Sequence, residues 1–178
     1  MTEAIVIVSG PPGAGKTTVA RRLAETAGAP AVHFHTDDFY GAIRSGFIAP
    51  WLKESHGQNA VVTRAIVAAA AEYATGGYLV VVDGVVGPWF LDVYQAAAQK
   101  LGMALDYVVL RPDRATAVAR ARDREASPLA DYPPGLYESF GDLGALEPHV
   151  VDTSDLDVDA LAARLREGLA AGRFRLPC

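Results

Sequence analysis

Cysteine is nearly missing from this chain. Its one cysteine, Cys178, is the last residue, which rules out an internal disulfide. Long apolar runs are missing too. None approaches the ~20 residues that span a bilayer, so no membrane segment is expected. The first residues enter a strand at once, without a basic stretch and a cleavage site, so no secretion signal is expected and a cytoplasmic location follows by default. Positive charge is in deficit, with 16 Lys and Arg against 21 Asp and Glu and a net charge of −5. That balance argues against a nucleic-acid binder held by phosphate neutralisation. Internal repeats, low-complexity tracts and linkers are absent. What is present is an ordinary globular composition, 51% hydrophobic and 21% charged, and 178 residues suit one compact domain over 1–178.

The most informative stretch lies near the start. Gly10-Pro11-Pro12-Gly13-Ala14-Gly15-Lys16-Thr17 fills every fixed position of the phosphate-binding loop G-x-x-x-x-G-K-[ST]. It follows the β-branched run Ile5 to Val8, which reads as a buried parallel strand. It precedes an amphipathic helix with Val19 and Leu23 against Arg21, Arg22 and Glu25. Gly10, Gly13 and Gly15 permit a tight turn in which successive N–H groups face one anion. The helix N-terminus points at the same anion. Lys16 supplies a point charge for the β- and γ-phosphates, and Thr17 a hydroxyl for Mg²⁺. Residues 10–17 and Thr18 are therefore the candidate nucleotide contacts. The alternative is a glycine-rich strand-to-helix turn without a ligand.

Strands and helices alternate along the rest. Further strands are expected at about 31–35, 78–83, 105–110 and 149–152. Helices are expected at about 15–27, 59–75, 89–100, 112 or 113 to 124, and 157–171, with Asp155 or Asp157 capping the last. The strands are continuous apolar runs, which calls for an α/β fold with a parallel sheet covered on both faces. Ligands then gather at the carboxyl ends of the strands. The stretch from Gly41 to Gln58 is polar and irregular. Ser127 to Asp142 is rich in Pro, Gly and Tyr and reads as a flap.

Several side chains fall at those strand ends. Asp37 and Asp38 can orient and deprotonate an attacking hydroxyl, or help hold Mg²⁺ through water, or cap a following helix. On an extended chain the two point opposite ways, so they cannot both face one atom. Asp83 ends the run Leu79 to Val82 and fits the acidic residue that supports Mg²⁺ beside a phosphate loop, or a turn before Gly84. Gly84 allows close backbone approach, and Trp89 either walls a substrate pocket or is core. Arg111, Arg114, Arg120, Arg122 and Arg124 form the densest basic run. Arg120 and Arg124, four apart, share a helix face and suit a closing lid, or a solvated face paired with Asp123 and Glu125. Arg44, Asn59 and Arg64 are candidates for reading the second substrate. His33 and His35 alternate on a strand, and without further Cys or paired His they read as structural.

The phosphate loop, Thr36-Asp37-Asp38-Phe39-Tyr40, the arginine helix and Val150-Val151-Asp152-Thr153-Ser154 together resemble the small P-loop kinases. Within these, the chain is similar to the group of shikimate kinase, gluconate kinase and chloramphenicol phosphotransferase. The resemblance covers nearly the whole chain by order of elements. It implies a P-loop NTPase fold, three-layer α/β/α, with a five-stranded parallel sheet ordered 2-3-1-4-5. It implies a lid at about 120–142, an acceptor-binding segment at about 38–65, and ATP with Mg²⁺ on the loop. It implies Asp37 as the base for the acceptor hydroxyl, Arg120 against adenine, Arg124 in the lid, and Thr153 and Ser154 in the adenine loop. The function it implies is an ATP-dependent kinase that transfers the γ-phosphate to a hydroxyl of a small metabolite or antibiotic.

Two departures bear on the acceptor. Asp83-Gly84-Val85 stands where shikimate kinase has a Gly-Gly-Gly run, and Arg124-Glu125-Ala126-Ser127-Pro128-Leu129 where it has Arg-Pro-Leu-Leu. Shikimate is therefore not the expected acceptor. Phe47, Ile48 and Trp51 point instead to an amphiphilic one. A nucleoside or nucleotide kinase, a zeta-type toxin acting on a nucleotide sugar, and a non-catalytic ATP-binding switch are the rivals. A GTPase switch is disfavoured, because no Asn-Lys-x-Asp motif follows the fourth strand. No oligomeric state follows from the sequence.

Overall fold

Residues 4–122 and 135–177 are described by the computed structural model. The middle strand of its sheet is β1 (Ala4–Ser9), in which all six residues are buried. β3 (Leu79–Asp83) and β4 (Ala104–Leu110) pair with β1 on either side, and β2 (Ala31–His35) and β5 (Val150–Val151) form the edges. Every pairing is parallel and the order is 2-3-1-4-5, as expected.

Alternation along each strand feeds two cores. Ile5, Ile7, Val80, Val82, Leu105 and Tyr107 pack with Ile66, Ala70, Leu91 and Tyr94 of α3 (His56–Thr75) and α4 (Leu91–Leu101). Val6, Val8, Val81 and Val108 pack with Val19, Leu23, Leu161 and Leu165 of α1 (Lys16–Glu25) and α7 (Val158–Ala170). Each such side chain contributes roughly 1.5–3 kcal/mol on full burial. This is why the three inner strands are apolar on both faces over most of their length and why the phosphate loop leaves from a rigid base. Asp157 is the cap of α7, its carboxylate accepting from the Ala160 N–H at 2.8 Å.

Three local differences from the sequence reading matter. The stretch after β2, where extended chain and a helix start were both open, forms α2 (Thr36–Gly41), which starts directly after His35. Asp37 and Asp38 lie in its first turn, where carboxylates complement the exposed N–H groups. α3 starts earlier than expected, at His56, after a 3₁₀ turn at Lys53–Ser55. β5 is half the expected length, because a 3₁₀ turn with Pro148 runs into it and the Asp152 side chain accepts from Ser154 N just beyond. The C-terminal tail lines the part of β4 that β5 leaves open. Tyr107 N donates to Phe174 O and Leu176 N to Leu105 O, both at 2.9 Å, and Arg175 Nε bonds Asp106 at 3.0 Å.

α5 (Arg114–Arg122) and α6 (Gly135–Glu138) follow β4. Arg111, the first arginine of the basic run, holds the 140–147 segment. Its guanidinium meets Glu147 Oε1 and Oε2 at 2.9 and 2.8 Å and donates to Phe140 O and Gly141 O. The Arg111 guanidinium, then the Leu143 N–H, hold the Glu147 carboxyl down at about 2, against a usual 4.5. A depressed carboxyl stabilises the fold above its unfolded value, and that stabilisation fades as pH falls through the folded value. Glu147→Gln should therefore lower the thermal midpoint at neutral pH, with the gap from wild type closing as pH drops below 4.5 towards 2. A gap of constant size across that range would show that the ion pair is not its source.

Candidate active site

The phosphate loop closes tightly because two glycines sit where no side chain fits. Gly10 (φ 137) lies against the Leu110 backbone and Gly13 (φ 78) against the Ala117 backbone, so a Cβ on either would overlap a carbonyl. The loop is thereby wedged between the end of β4 and α5. Lys16 is 5% exposed and its Nζ donates to Pro11 O at 2.9 Å, across the loop.

Asp83 is fully buried at the end of β3, one strand away. Thr17 Oγ1 donates to its Oδ2 at 2.7 Å, and His33 Nε2 meets its Oδ1 at 2.6 Å. His35 Nδ1 lies 3.2 Å from Oδ2 in a charge contact that is out of line for a hydrogen bond. Burial pushes the Asp83 carboxyl up, but His33, His35 and Thr17 together outweigh it and hold the group well below the usual carboxylate range. His35 is raised, chiefly by Asp83 and against the opposing effect of burial, with Asp37 and Asp38 adding to the rise.

The other side of the same imidazole leads outward. His35 Nε2 is 3.5 Å from Asp37 Oδ2. The contacts Thr17–Asp83–His35–Asp37 thus join the phosphate loop to α2 without a break. Asp37 lies in the wall of a cavity of about 360 Å³, with Tyr40, Trp51, Asn59, Trp89 and Phe90. Burial, then the nearby Asp37 charge, push the Tyr40 phenol up to about 12, so it stays neutral. The loop after Asp83 is pinned: Ser9 Oγ and Tyr107 Oη both donate to Val86 O, at 2.7 and 2.8 Å.

The structure sorts the remaining candidates. Asp38 is exposed and outside the cavity wall, whereas Asp37 is in it. Asn59 is in the wall, 8% exposed. Its Nδ2 donates to Pro50 O and Ser55 Oγ, and its Oδ1 has no hydrogen-bond partner among the described residues. Trp89 is 53% exposed in the wall, not core. Gly84 makes its close approach to the Thr36 side chain and is not part of the wall. Arg44 and Arg64 are exposed and line nothing in this cavity. Arg120 donates to Thr153 O and Ser154 O at 3.3–3.4 Å, and buried Thr153 Oγ1 is without a partner among the described residues. Arg124, and with it most of the expected lid, lies outside the described residues, as does the Arg122 side chain.

His33 and His35, read above as structural, meet Asp83 through contacts that the sequence did not assign. Their i, i+2 spacing puts both on one face of β2, and the β2–β3 register sets His35 beside Asp83. Two histidines on one face next to a strand that ends in an acid was the available signal.

The sequence model of the AAA domain family matches residues 5–133. The chain belongs to the AAA domain family. No curated protein matches this AAA domain by sequence. Among solved structures it is similar to a sugar kinase from Janibacter sp. HTCC2649, at 19% identity and a TM-score of 0.70, with 96% of this chain and 95% of that chain covered. It is similar to the Deinococcus radiodurans tunicamycin resistance protein, at 15% identity and a TM-score of 0.66, over 98% and 99% of the two chains. It is also similar to shikimate kinase from Acinetobacter baumannii, solved with shikimate, at 21% identity and a TM-score of 0.57, over 97% and 95%. At these identities the likeness establishes the fold, which is that of the small P-loop kinases. No helix among the described residues of this AAA domain is long and apolar enough to cross a membrane.

Proposed function

We propose that this AAA domain is an ATP-dependent small-molecule kinase that transfers the γ-phosphoryl group to a hydroxyl of its acceptor. The observation that carries this is the unbroken path Thr17–Asp83–His35–Asp37 from the phosphate loop to a carboxylate in a cavity wall. A nucleotide-binding loop alone suits a switch as well as an enzyme. A carboxylate held at its edge, facing room for a second molecule, suits phosphoryl transfer.

Lys16 and the N–H groups of residues 13–17 would neutralise charge on the β- and γ-phosphates. Arg120, Thr153 and Ser154, joined by the hydrogen bonds of the Arg120 guanidinium to Thr153 O and Ser154 O, would lie beside the adenine. The donor set beside the loop fits Mg²⁺: the Thr17 hydroxyl and the Asp83 carboxylate are hard oxygens in contact, and among the described residues no group of three acids, His or Cys forms a closed cage. Magnesium commonly takes one or two protein oxygens and completes its shell with phosphates and water. The Thr17 hydroxyl and the Asp83 carboxylate would hold it there, where its charge would offset that of the phosphates. Asp37 would orient the acceptor hydroxyl and accept its proton as the oxygen bonds to phosphorus, and the bond to the ADP oxygen breaks.

The test is coupled ADP release with ATP and Mg²⁺ over a panel of hydroxylated acceptors. One that raises turnover by orders of magnitude above the ATP-only rate is the expected result. Tight ATP binding with no response to any acceptor would favour the switch and count against a kinase.

A further inference from the structure

The walls of the cavity beside Asp37 carry a second message, about charge. Among its described residues are four aromatic rings, Tyr40, Trp51, Trp89 and Phe90, and no Lys, Arg or His. Its one ionisable acid is Asp37, and the Tyr40 phenol beside it stays neutral. A phosphate, sulfate or carboxylate placed here meets no cation among the described wall residues and faces the Asp37 side chain. Like charges in a part-buried site repel strongly. Flat aromatic walls favour a planar or apolar body instead.

We infer that the acceptor of this site is an uncharged molecule with an aromatic or otherwise flat apolar body and a hydroxyl for Asp37, which the site prefers to anionic analogues. The inference rests on the kinase reading for the name "acceptor", but the binding it asserts can be measured without turnover. The chain has two tryptophans, and both line this cavity, so intrinsic fluorescence reports its occupancy directly.

The experiment uses matched pairs that differ in one charge: uridine against uridine monophosphate, and phenylpropanediol against phenyllactate. Each is titrated with fluorescence as the readout, and ADP release is recorded in parallel. Trp51→Phe and Trp89→Phe assign the signal. The neutral member of each pair should bind about tenfold tighter or more. Trp89→Arg, at a half-exposed position that accepts a long side chain, should narrow or reverse that preference. Equal or tighter binding of the anionic members by wild type overturns the inference, and so does a lack of quenching by every compound. If anionic compounds are phosphorylated and neutral ones are not, the inference fails while the kinase reading stands. If neutral compounds bind preferentially and none yields ADP, the inference stands and the kinase reading fails.

Discussion

Asp37→Asn should lower acceptor-dependent ADP release by roughly 10²–10⁴-fold, the range lost when a positioned general base is removed. Nucleotide affinity should stay within about twofold, because Asn keeps the shape of the side chain beside His35 and Asp37 lies in the cavity wall. The substitution is nearly isosteric and keeps an oxygen near His35 Nε2, so the path from Asp83 outward keeps its shape. What is lost is the capacity to take a proton. Asp38→Asn is the control. Asp38 is exposed and outside the cavity wall, so its change should alter turnover by less than about threefold. Activity that survives in Asp37→Asn and falls in Asp38→Asn would move the base by one residue. Activity that survives in both would mean that phosphoryl transfer here needs no carboxylate base, as a loose transition state permits.

Asp83→Ala should be the most destabilising single change in the site. It removes a buried, ionised carboxylate and strands the three side chains that converge on it, Thr17, His33 and His35. Breaking a buried charge cluster by removing one partner costs about 3–5 kcal/mol. For a chain of this size that lowers the thermal midpoint on the order of 10 °C, and it is a large share of an ordinary total stability. Asp83→Asn separates stability from charge. It retains volume and one carbonyl acceptor, so it should fold with a smaller loss while weakening divalent-metal affinity, read by displacement of bound Mn²⁺. A midpoint unchanged in Asp83→Ala would mean that the histidines find other partners and that the clamp is not a stabilising unit. An Asn variant with wild-type metal affinity would remove Asp83 from the proposed metal site.

The sequence by itself determined the nucleotide-facing half. The phosphate loop is eight consecutive residues whose backbone requirements are local, so Gly10 to Thr17 could be assigned without knowing what surrounds them. The sheet was legible for a similar reason, since strands buried on both faces must be continuous apolar runs, and an acid such as Asp83 at the end of one stands out. The choice between Asp37 and Asp38 was not local. It turned on α2 starting directly after β2, which replaces the opposite facing of an extended chain by the smaller angular step of a helix. The side of α3 on which Arg64 lies could not be read from the sequence, because that helix is rich in Ala and Val all round and periodicity does not say which side faces the sheet. The role of Arg111 was not legible because its partner, Glu147, lies 36 residues away. His33 and His35 acquired a role only through the β2–β3 register. The aromatic wall exists only because Tyr40, Trp51 and Trp89 come from three separate segments. Local backbone chemistry is written in neighbouring residues, whereas a pocket for a second molecule is made of side chains that only the packing of distant elements brings together.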